Sequence, residues 1–377
     1  MGGITLSSAV RNNLNSLQAT SQLMSGVQEK LSTGKKVNSA LDNPNSFFTA
    51  KGLENRASDL STLLDDMGQS VQTLKAADKG IEAISDLVDS AKAKANQAQQ
   101  TSSQSERAQY AEEYNELMTQ IEDIAKDSGY GGKNLLGGTG NDLSVTFNED
   151  GSSSLSISSV DYTDTSSSTG LNLSDLTVAT EGTTTATVGS AGATTTSLLT
   201  DSASIAEGDV ITLTDVNGAE VGSLTVEADT TIGDLEDLYD GIDGVSTAYA
   251  AGVVTVTSDF VLSSDSSGSL TVADTDGDDS GFASDSDIDA ALSSLKSAQD
   301  TLRSQASTFG TNLSIVEGRQ DFTNAIINTL EEGAGKLTLA DTNEEGANLL
   351  ALQTQQSLAS TSLSLAAQAD QNVLRLF

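Results

Sequence analysis

Two long stretches of this chain, one near each end, repeat apolar residues in strict steps of three and four. In the first the positions are Leu53, Ala57, Leu60, Leu64, Met67, Val71, Leu74, Asp78, Ile81, Ser85 and Val88. In the second they are Ile288, Leu292, Leu295, Gln299, Leu302, Ala306, Phe309, Leu313, Val316, Gln320, Thr323, Ile327 and Leu330. Such spacing keeps one stripe on one side of a helix, and a sustained seven-residue repeat makes that stripe coil around a partner. Two such helices far apart in sequence are expected to pair with each other. The expected fold is mainly α: a long antiparallel coiled-coil or helical-bundle rod formed by both chain ends, with a β-hairpin and a small acidic α+β insert domain. A rod is a building unit more often than a catalyst.

Composition narrows the chemistry. The 377 residues include no His, no Cys, no Trp and one proline, Pro44, and only 4% are aromatic. Without His or Cys there is no imidazole base, no Ser-His or Cys-His pair and no thiolate or imidazole zinc site. No enzyme activity and no cofactor are expected. Residues 141–285 hold 26 acidic side chains and no Lys or Arg, whereas residues 1–140 carry a net charge of −4 and residues 286–377 one of −6. A polyanionic middle repels nucleic acid and anionic membranes, and nearly balanced ends suit packing against protein. No apolar run reaches the roughly 18 residues that span a bilayer, so membrane insertion is not expected. Residues 1–20 lack the basic start and apolar run of a cleaved secretory signal.

Periodicity and punctuation place the elements. Residues 5–33 read as a helix with Val10, Leu14, Leu17, Met24 and Leu31 on one stripe, ended at Gly34. Pro44 fits the first turn of a second helix running to about residue 98. A third covers about 104–128, with Tyr110, Tyr114, Leu117, Ile121 and Ile124 on one face. The period then drops to two. Leu143, Val145 and Phe147, the Asp150-Gly151 turn, and Leu155 with Ile157 predict a hairpin. Residues 158–204, rich in Ser, Thr and Gly, read as irregular. Strands are expected at 210–213 and 221–226, a short helix at 232–239, a hairpin at 245–249 and 253–257, and a further strand at 269–272. The second seam helix spans about 286–332, stopped by Gly333 and Gly335. Thr342 and Glu345 have capping-box spacing and open a last helix carrying Leu352, Ala359, Leu363, Ala366, Val373 and Phe377.

One segment approximates a calcium loop. Asp276, Asp278, Ser280 and Asp287 fall at positions 1, 3, 5 and 12, with Gly281 at position 6. Position 12 is Asp rather than Glu and no helix precedes the loop, so an acidic solvated loop is the default reading.

The two ends resemble bacterial flagellins. Leu31-Ser-Thr-Gly-Lys-Lys-Val-Asn-Ser-Ala-Leu-Asp42 is similar to a signature of that family. Leu339-Ala-Asp341, Ala366-Ala-Gln-Ala-Asp370 and Val373-Leu-Arg-Leu-Phe377 are similar to the family's closing helix. Asn43-Pro44-Asn45 through Phe47-Phe48 departs from the commoner acidic, Ala/Gly-rich version. The resemblance implies a structural subunit that polymerises into the flagellar filament for motility, located outside the cell and exported by the flagellar type III apparatus without a cleaved signal. It implies self-association, with hook-associated and cap proteins and an export chaperone as further partners. A hook-associated junction protein, built on similar terminal helices, is the alternative. The implied domains are residues 1–45 with 336–377 as the filament's inner core, 46–158 with 285–335 as a helical rod with the hairpin, and 159–284 as a variable solvent-exposed insert. Val10, Leu14, Leu17, Met24, Leu31, Leu352, Ala359, Leu363, Ala366, Val373 and Phe377 are the implied polymerisation residues.

Overall fold

A computed structural model describes residues 8–268, 270 and 272–374. The chain is mainly helical, 56% by residue, with a few short antiparallel strands. Three helices come first: α1 (Ser8–Thr33), α2 (Pro44–Gln100) and α3 (Gln104–Asp127). The strands β1 (Leu143–Thr146), β2 (Ser154–Ile157), β3 (Gly182–Thr187), β4 (Val210–Thr214) and β5 (Glu220–Thr225) follow. Next come α4 (Ile232–Asp240), β6 (Val245–Ala250), β7 (Val253–Ser258) and β8 (Ser263–Ser266), then α5 (Asp285–Thr338) and α6 (Thr342–Leu374). The chain divides into two units. One comprises Met1–Met67, Thr146–Ser154 and Gly318–Phe377, and the other Gly68–Val145 and Leu155–Glu317.

In the first unit α1 lies along α6. The start of α2 meets the end of α5 near Leu53, whose Cδ1 is 3.4 Å from where a Cβ on Gly333 would stand. Contrary to the sequence expectation, α5 runs through Gly333 and Gly335 to Thr338. Glycine costs a helix only about 1 kcal/mol relative to alanine. Here half-buried Leu330 and buried Ala334 and Thr338 follow in steps of four and hold the turn in place. The β1–β2 tip is fixed within this unit. The Arg319 guanidinium sits 5.1 Å from the Phe147 ring centroid, and Arg56 Nε pairs with Glu149 Oε1 at 2.6 Å.

In the second unit α2 and α5 run antiparallel. Lys75 pairs with Glu317 at 3.2 Å, Gln99 donates to Asp289 at 2.9 Å, and Gln299 donates to Asp89. From Thr73 onward α2 is buried on a second stripe of small residues: Ala77, Gly80, Ala91, Ala95 and Ala98 beside Ile84. Burial on α3 follows Ala111, Tyr114, Met118, Ile121 and Ala125. The expected face is therefore turned: Tyr110, Leu117 and Ile124 flank it, half-buried. Small residues allow close approach of two backbones, so the alanines take the centre and the larger side chains close the sides. Gly80 has no room for a Cβ, which would stand 2.7 Å from Leu136 Cδ1, because the chain after α3 returns across α2 there.

The insert holds two three-stranded sheets, ordered β3-β7-β6 and β5-β4-β8, around one apolar cluster that includes Ile211, Leu213, Leu235, Tyr239, Val254 and Val256. β7 is central because Val253-Val-Thr-Val-Thr-Ser258 is almost wholly β-branched. It pairs with β6 through a two-residue turn in which Ala251 (φ 52°) and Gly252 (φ 88°) are left-handed. β3, in the stretch expected to be irregular, pairs with β7 from Gly182↔Ser258 to Thr187↔Val253. Its inward residues are Gly182, Thr184 and Ala186, too small to signal a strand, and Gly182 lies close under the Gly277 backbone. Ser269 and Thr271 of the expected 269–272 strand lie outside the described residues; Leu270 and Val272 are buried in the cluster.

A polar clasp joins the insert to the α2–α3 corner. Arg107, 5% exposed, donates from Nε to Thr101 O (2.9 Å), from Nη1 to Ala283 O (2.8 Å) and from Nη2 to Asp285 Oδ1 (2.7 Å). Gln104 Nε2 donates to Asp215 Oδ2 (3.0 Å) and Ala283 O (3.2 Å), and Asn217 Nδ2 donates to Ala283 O (2.9 Å). The insert's two exits lie side by side: Gly281 N donates to Thr177 O and Thr180 N to Asp278 O.

Two predictions follow from this packing. Arg107→Ala removes the side-chain donors to Thr101 O and Asp285 and one of the three donors to Ala283 O, and denaturant unfolding is expected to show a loss of about 1.5–3 kcal/mol, the range for hydrogen bonds involving a charged group. A loss below about 0.5 kcal/mol is incompatible with a clasp. Burial, with the Asp175 charge a smaller cause, pushes the Tyr114 phenol up to about 12, and burial alone pushes Tyr162 up to about 12. Unfolded tyrosines ionise near pH 10. The fold favours the neutral phenols, so their contribution is intact below about pH 10 and is lost as pH rises from about 10 to 12. Spectrophotometric titration of Tyr114→Phe and Tyr162→Phe checks the assignment; titration of both phenols near 10 in the folded chain contradicts it.

Candidate assembly surface

α1 and α6 come from opposite ends of the chain and run antiparallel in constant register. Asn13 Nδ2 donates to Ser362 Oγ at 3.2 Å, and Lys30 Nζ pairs with Glu345 Oε1 at 3.0 Å. The two contacts are 17 residues apart on each helix, so neither helix slips against the other. A backbone bridge closes the pair: Lys35 faces Leu339, Lys36 N donates to Thr338 O (2.7 Å), and Ala340 N donates to Gly34 O (3.0 Å). Gly34 (φ 69°) supplies the left-handed turn that brings the chain there. α6 is capped by Asp341 rather than by a Thr342 box. Asp341 Oδ1 accepts from Asn343 N (2.9 Å) and Glu344 N (3.3 Å), which leaves Glu345 free to reach Lys30.

The seam between the two helices is built from modest side chains. On α1 it is Val10, Asn13, Leu17, Thr20, Met24, Val27 and Leu31, where Val10 and Thr20 are buried and the others half-buried. On α6 Glu345, Leu349, Leu352, Gln356, Ala359, Leu363 and Ala366 are half-buried at the same spacing. Of the residues the sequence singled out, Val10, Leu17, Met24, Leu31, Leu352, Ala359, Leu363 and Ala366 lie on this seam. Leu14 is displaced from it and 39% exposed: from Val10 a step of four or of three leads equally to Leu17, and the structure takes the set that begins with three, through Asn13. Val373 lies in α6, its side chain outside the described set, and Phe377 lies outside the described residues.

The pair leaves apolar surface in water. Leu23, Leu350, Leu358 and Leu365 are 61% to 66% exposed. Four leucines on two helices with that exposure form a surface that a lone chain does not cover.

The calcium-loop residues are not brought to one point. Asp276 Oδ1 accepts from Thr183 N (2.7 Å), Asp278 Oδ2 from Thr180 Oγ1 (3.5 Å) and Asp287 Oδ2 from Ser284 Oγ (2.6 Å). Among the described residues no three carboxylates gather as a metal site. An open cleft of 620 Å³ lies nearby, lined by Tyr114, Asp175, Asp279, Ser280 and Asp287 among others. Burial holds the Asp279 carboxyl above the usual carboxylate range despite the hydrogen bond it accepts from Val261 N.

Comparison with known proteins bears on the two ends. The bacterial flagellin N-terminal helical region matches residues 4–141, and the bacterial flagellin C-terminal helical region matches residues 292–377. The chain is 28% identical to flagellin A of Rhizobium meliloti and 28% identical to flagellin B of the same organism, each alignment covering 100% of both chains. Among solved structures, FlgL of Xanthomonas campestris is similar at 14% identity and a TM-score of 0.23, over 84% of this chain and 97% of that one.

Leu363 tests the pairing of α1 with α6. Leu363→Asp puts an unpaired charge on the half-buried seam, at a cost of about 1–3 kcal/mol. Hydrogen exchange is expected to quicken across 8–33 and 342–374 and to stay unchanged in α3 and the insert. Unchanged exchange in the two helices contradicts the seam.

Proposed function

Because this chain belongs to the bacterial flagellin family, structural proteins of the flagellar filament, we propose that it polymerises into that filament through coiled-coil packing of its N- and C-terminal helices. The observation that carries the reading is the α1–α6 pair. Its register is fixed, its seam is only half-buried, and Leu23, Leu350, Leu358 and Leu365 face outward. A helix apolar on more than one side needs more than one neighbour, and other copies of the chain supply them.

In this reading residues 1–45 with 336–377 form the filament's inner core. Residues 46–158 with 285–335 pack outside it, and residues 159–284 are the acidic variable part facing solvent. The polymerisation residues are Val10, Leu14, Leu17, Met24, Leu31, Leu352, Ala359, Leu363, Ala366, Val373 and Phe377. A seam in which Asn13, Thr20, Gln356, Ala359 and Ala366 interrupt mostly half-buried Leu, Val and Met side chains buries too little apolar area to offset the ordering of two long helices. Ordering is therefore completed on assembly, when each helix gains several apolar neighbours at once. Export through the type III apparatus suits ends that form no stable obstacle to unfolding. Hook-associated and cap proteins meet the same surface at the filament's two ends, and a chaperone covers it before export.

Electron microscopy of the purified chain tests the reading directly: long filaments are expected, whereas short rings that never elongate favour a junction protein. The insert is expected to be dispensable. Its exits are hydrogen-bonded neighbours at Thr180 and Asp278, so residues 181–277 can be excised across a short Gly-Ser link. Residues 162–176 are kept, because Tyr162, Leu171 and Leu173 are buried and Thr165 N donates to Glu122 Oε1. The shortened chain should polymerise at a critical concentration within about threefold of the full chain's, a difference of about 0.6 kcal/mol. A stably folded deletion that forms no filaments sinks this part of the reading.

A further inference from the structure

The connector between α1 and α2 carries a leucine that nothing in its own chain covers. Leu41 is 95% exposed, the barest large apolar side chain among the described residues. It does not sit on loose chain. Asp42 Oδ2 accepts from Asn38 N (3.0 Å), Ser39 N (2.9 Å) and Ser39 Oγ (3.3 Å), and Leu41 N donates to Ser39 Oγ (3.3 Å). Asp42 N in turn donates to Ser39 O at 3.2 Å. A turn with five internal hydrogen bonds holds its apolar tip out in water in one conformation, so little ordering cost remains when the tip is bound.

The same region carries a hollow. An open pocket of 150 Å³ is floored by buried Val37 and Ala50 and half-buried Phe47, with Lys35 and Lys51 among its lining residues. Leu41 is not among the residues that line it. Asn38, Glu54 and Thr338 complete the lining, so apolar and polar groups share it, and its volume is of the order of a leucine side chain. Charge is complementary as well. Among the described residues the Lys35 ammonium makes no hydrogen bond or ion pair, and Asp42, whose charged neighbour in its own chain is Lys30, keeps Oδ1 free of hydrogen bonds.

We propose that Leu41 of one copy of this chain enters the Val37–Phe47–Ala50 pocket of a second copy, with Asp42 of the first set against Lys35 of the second. The inference rests on the filament reading and names one contact within it. Knob and pocket are different patches of the same chain, so each copy offers one of each. Made head to tail, as a filament requires, the contact is heterologous and leaves a free knob and a free pocket after every addition, whereas reciprocal pairing of the same two patches would stop at a dimer.

The absence of cysteine from the chain makes a clean test. Leu41→Cys and Lys51→Cys are made as separate proteins, mixed, copolymerised with an excess of the unaltered chain, and oxidised. A covalent dimer joining the two variants is expected in the polymer and not in the unassembled mixture. Filaments that yield no mixed dimer, or that yield only Leu41→Cys homodimers, overturn the proposal. Leu41→Ser is expected to raise the critical concentration about tenfold or more, while Leu41→Met keeps it within about twofold. Neither should move the monomer's melting temperature, since the side chain touches nothing there. If the unaltered chain polymerises and Leu41→Ser polymerises equally well, the knob is refuted while the filament reading stands. Failure of the unaltered chain to polymerise overturns the filament reading, and the knob with it.

Discussion

The antiparallel pairing of α1 with α6 is the constraint on which the arrangement of this chain depends. It ties a helix that begins by Ser8 to one that reaches Leu374, so everything between must leave and return. Its Leu, Val and Met side chains are mostly only half-buried and are interrupted by Asn13, Thr20, Gln356 and two alanines, and the Lys30–Glu345 ion pair marks the register. An interface of that quality is matched well enough to choose one alignment and poor enough to need company. Local definition combined with marginal stability is what a subunit requires when its final packing is supplied by other copies.

The second unit solves the opposite problem, that of holding an elongated set of helices and an acidic insert in one place. Alanine and glycine on α2 let α3 approach closely, and Tyr114 stacks edge-on against Phe282 at 5.6 Å. The clasp around Ala283 O then gathers Arg107, Gln104 and Asn217 onto one carbonyl. In an insert free of Lys and Arg, the guanidinium that reaches it among the described residues is Arg107 of α3. The geometry of the insert is therefore set from the helices.

Much of this was legible in the residues. Periodicity marked the five long helices, although α5 ends six residues later than its glycines suggested, and the Asn217-Gly218 and Ala251-Gly252 turns gave the hairpins. The calcium-loop spacing, by contrast, corresponds to no gathering of three carboxylates among the described residues. What sequence misjudged were places where small or polar residues do the packing. β3 is inward-facing through Gly182, Thr184 and Ala186, so no alternation of large residues announced it. α3 turns its alanines inward because its neighbour is also small. α5 passes two glycines because Ala334 and Thr338 are buried beyond them. Leu14 yields its place on the seam to Asn13, and the Asp341 cap outcompetes a plausible box at Thr342. Leu41 reads as an ordinary connector residue until its exposure is seen.

The fixed spacing between the Asn13–Ser362 and Lys30–Glu345 contacts has a consequence for how such a chain can change over generations. A residue inserted into α1 between these contacts rotates everything beyond it by about 100° and carries one of the two pairings off the seam, and α6 is bound by the same rule. Lengthening either helix is tolerated only in multiples close to seven and only when the partner follows. The neck at Thr180 and Asp278 imposes no such arithmetic. Any folded segment whose two ends lie side by side can occupy it. Innovation in length and sequence is thereby channelled to the middle of the gene, while its two ends must evolve as a single coupled element despite lying at opposite extremes of the reading frame.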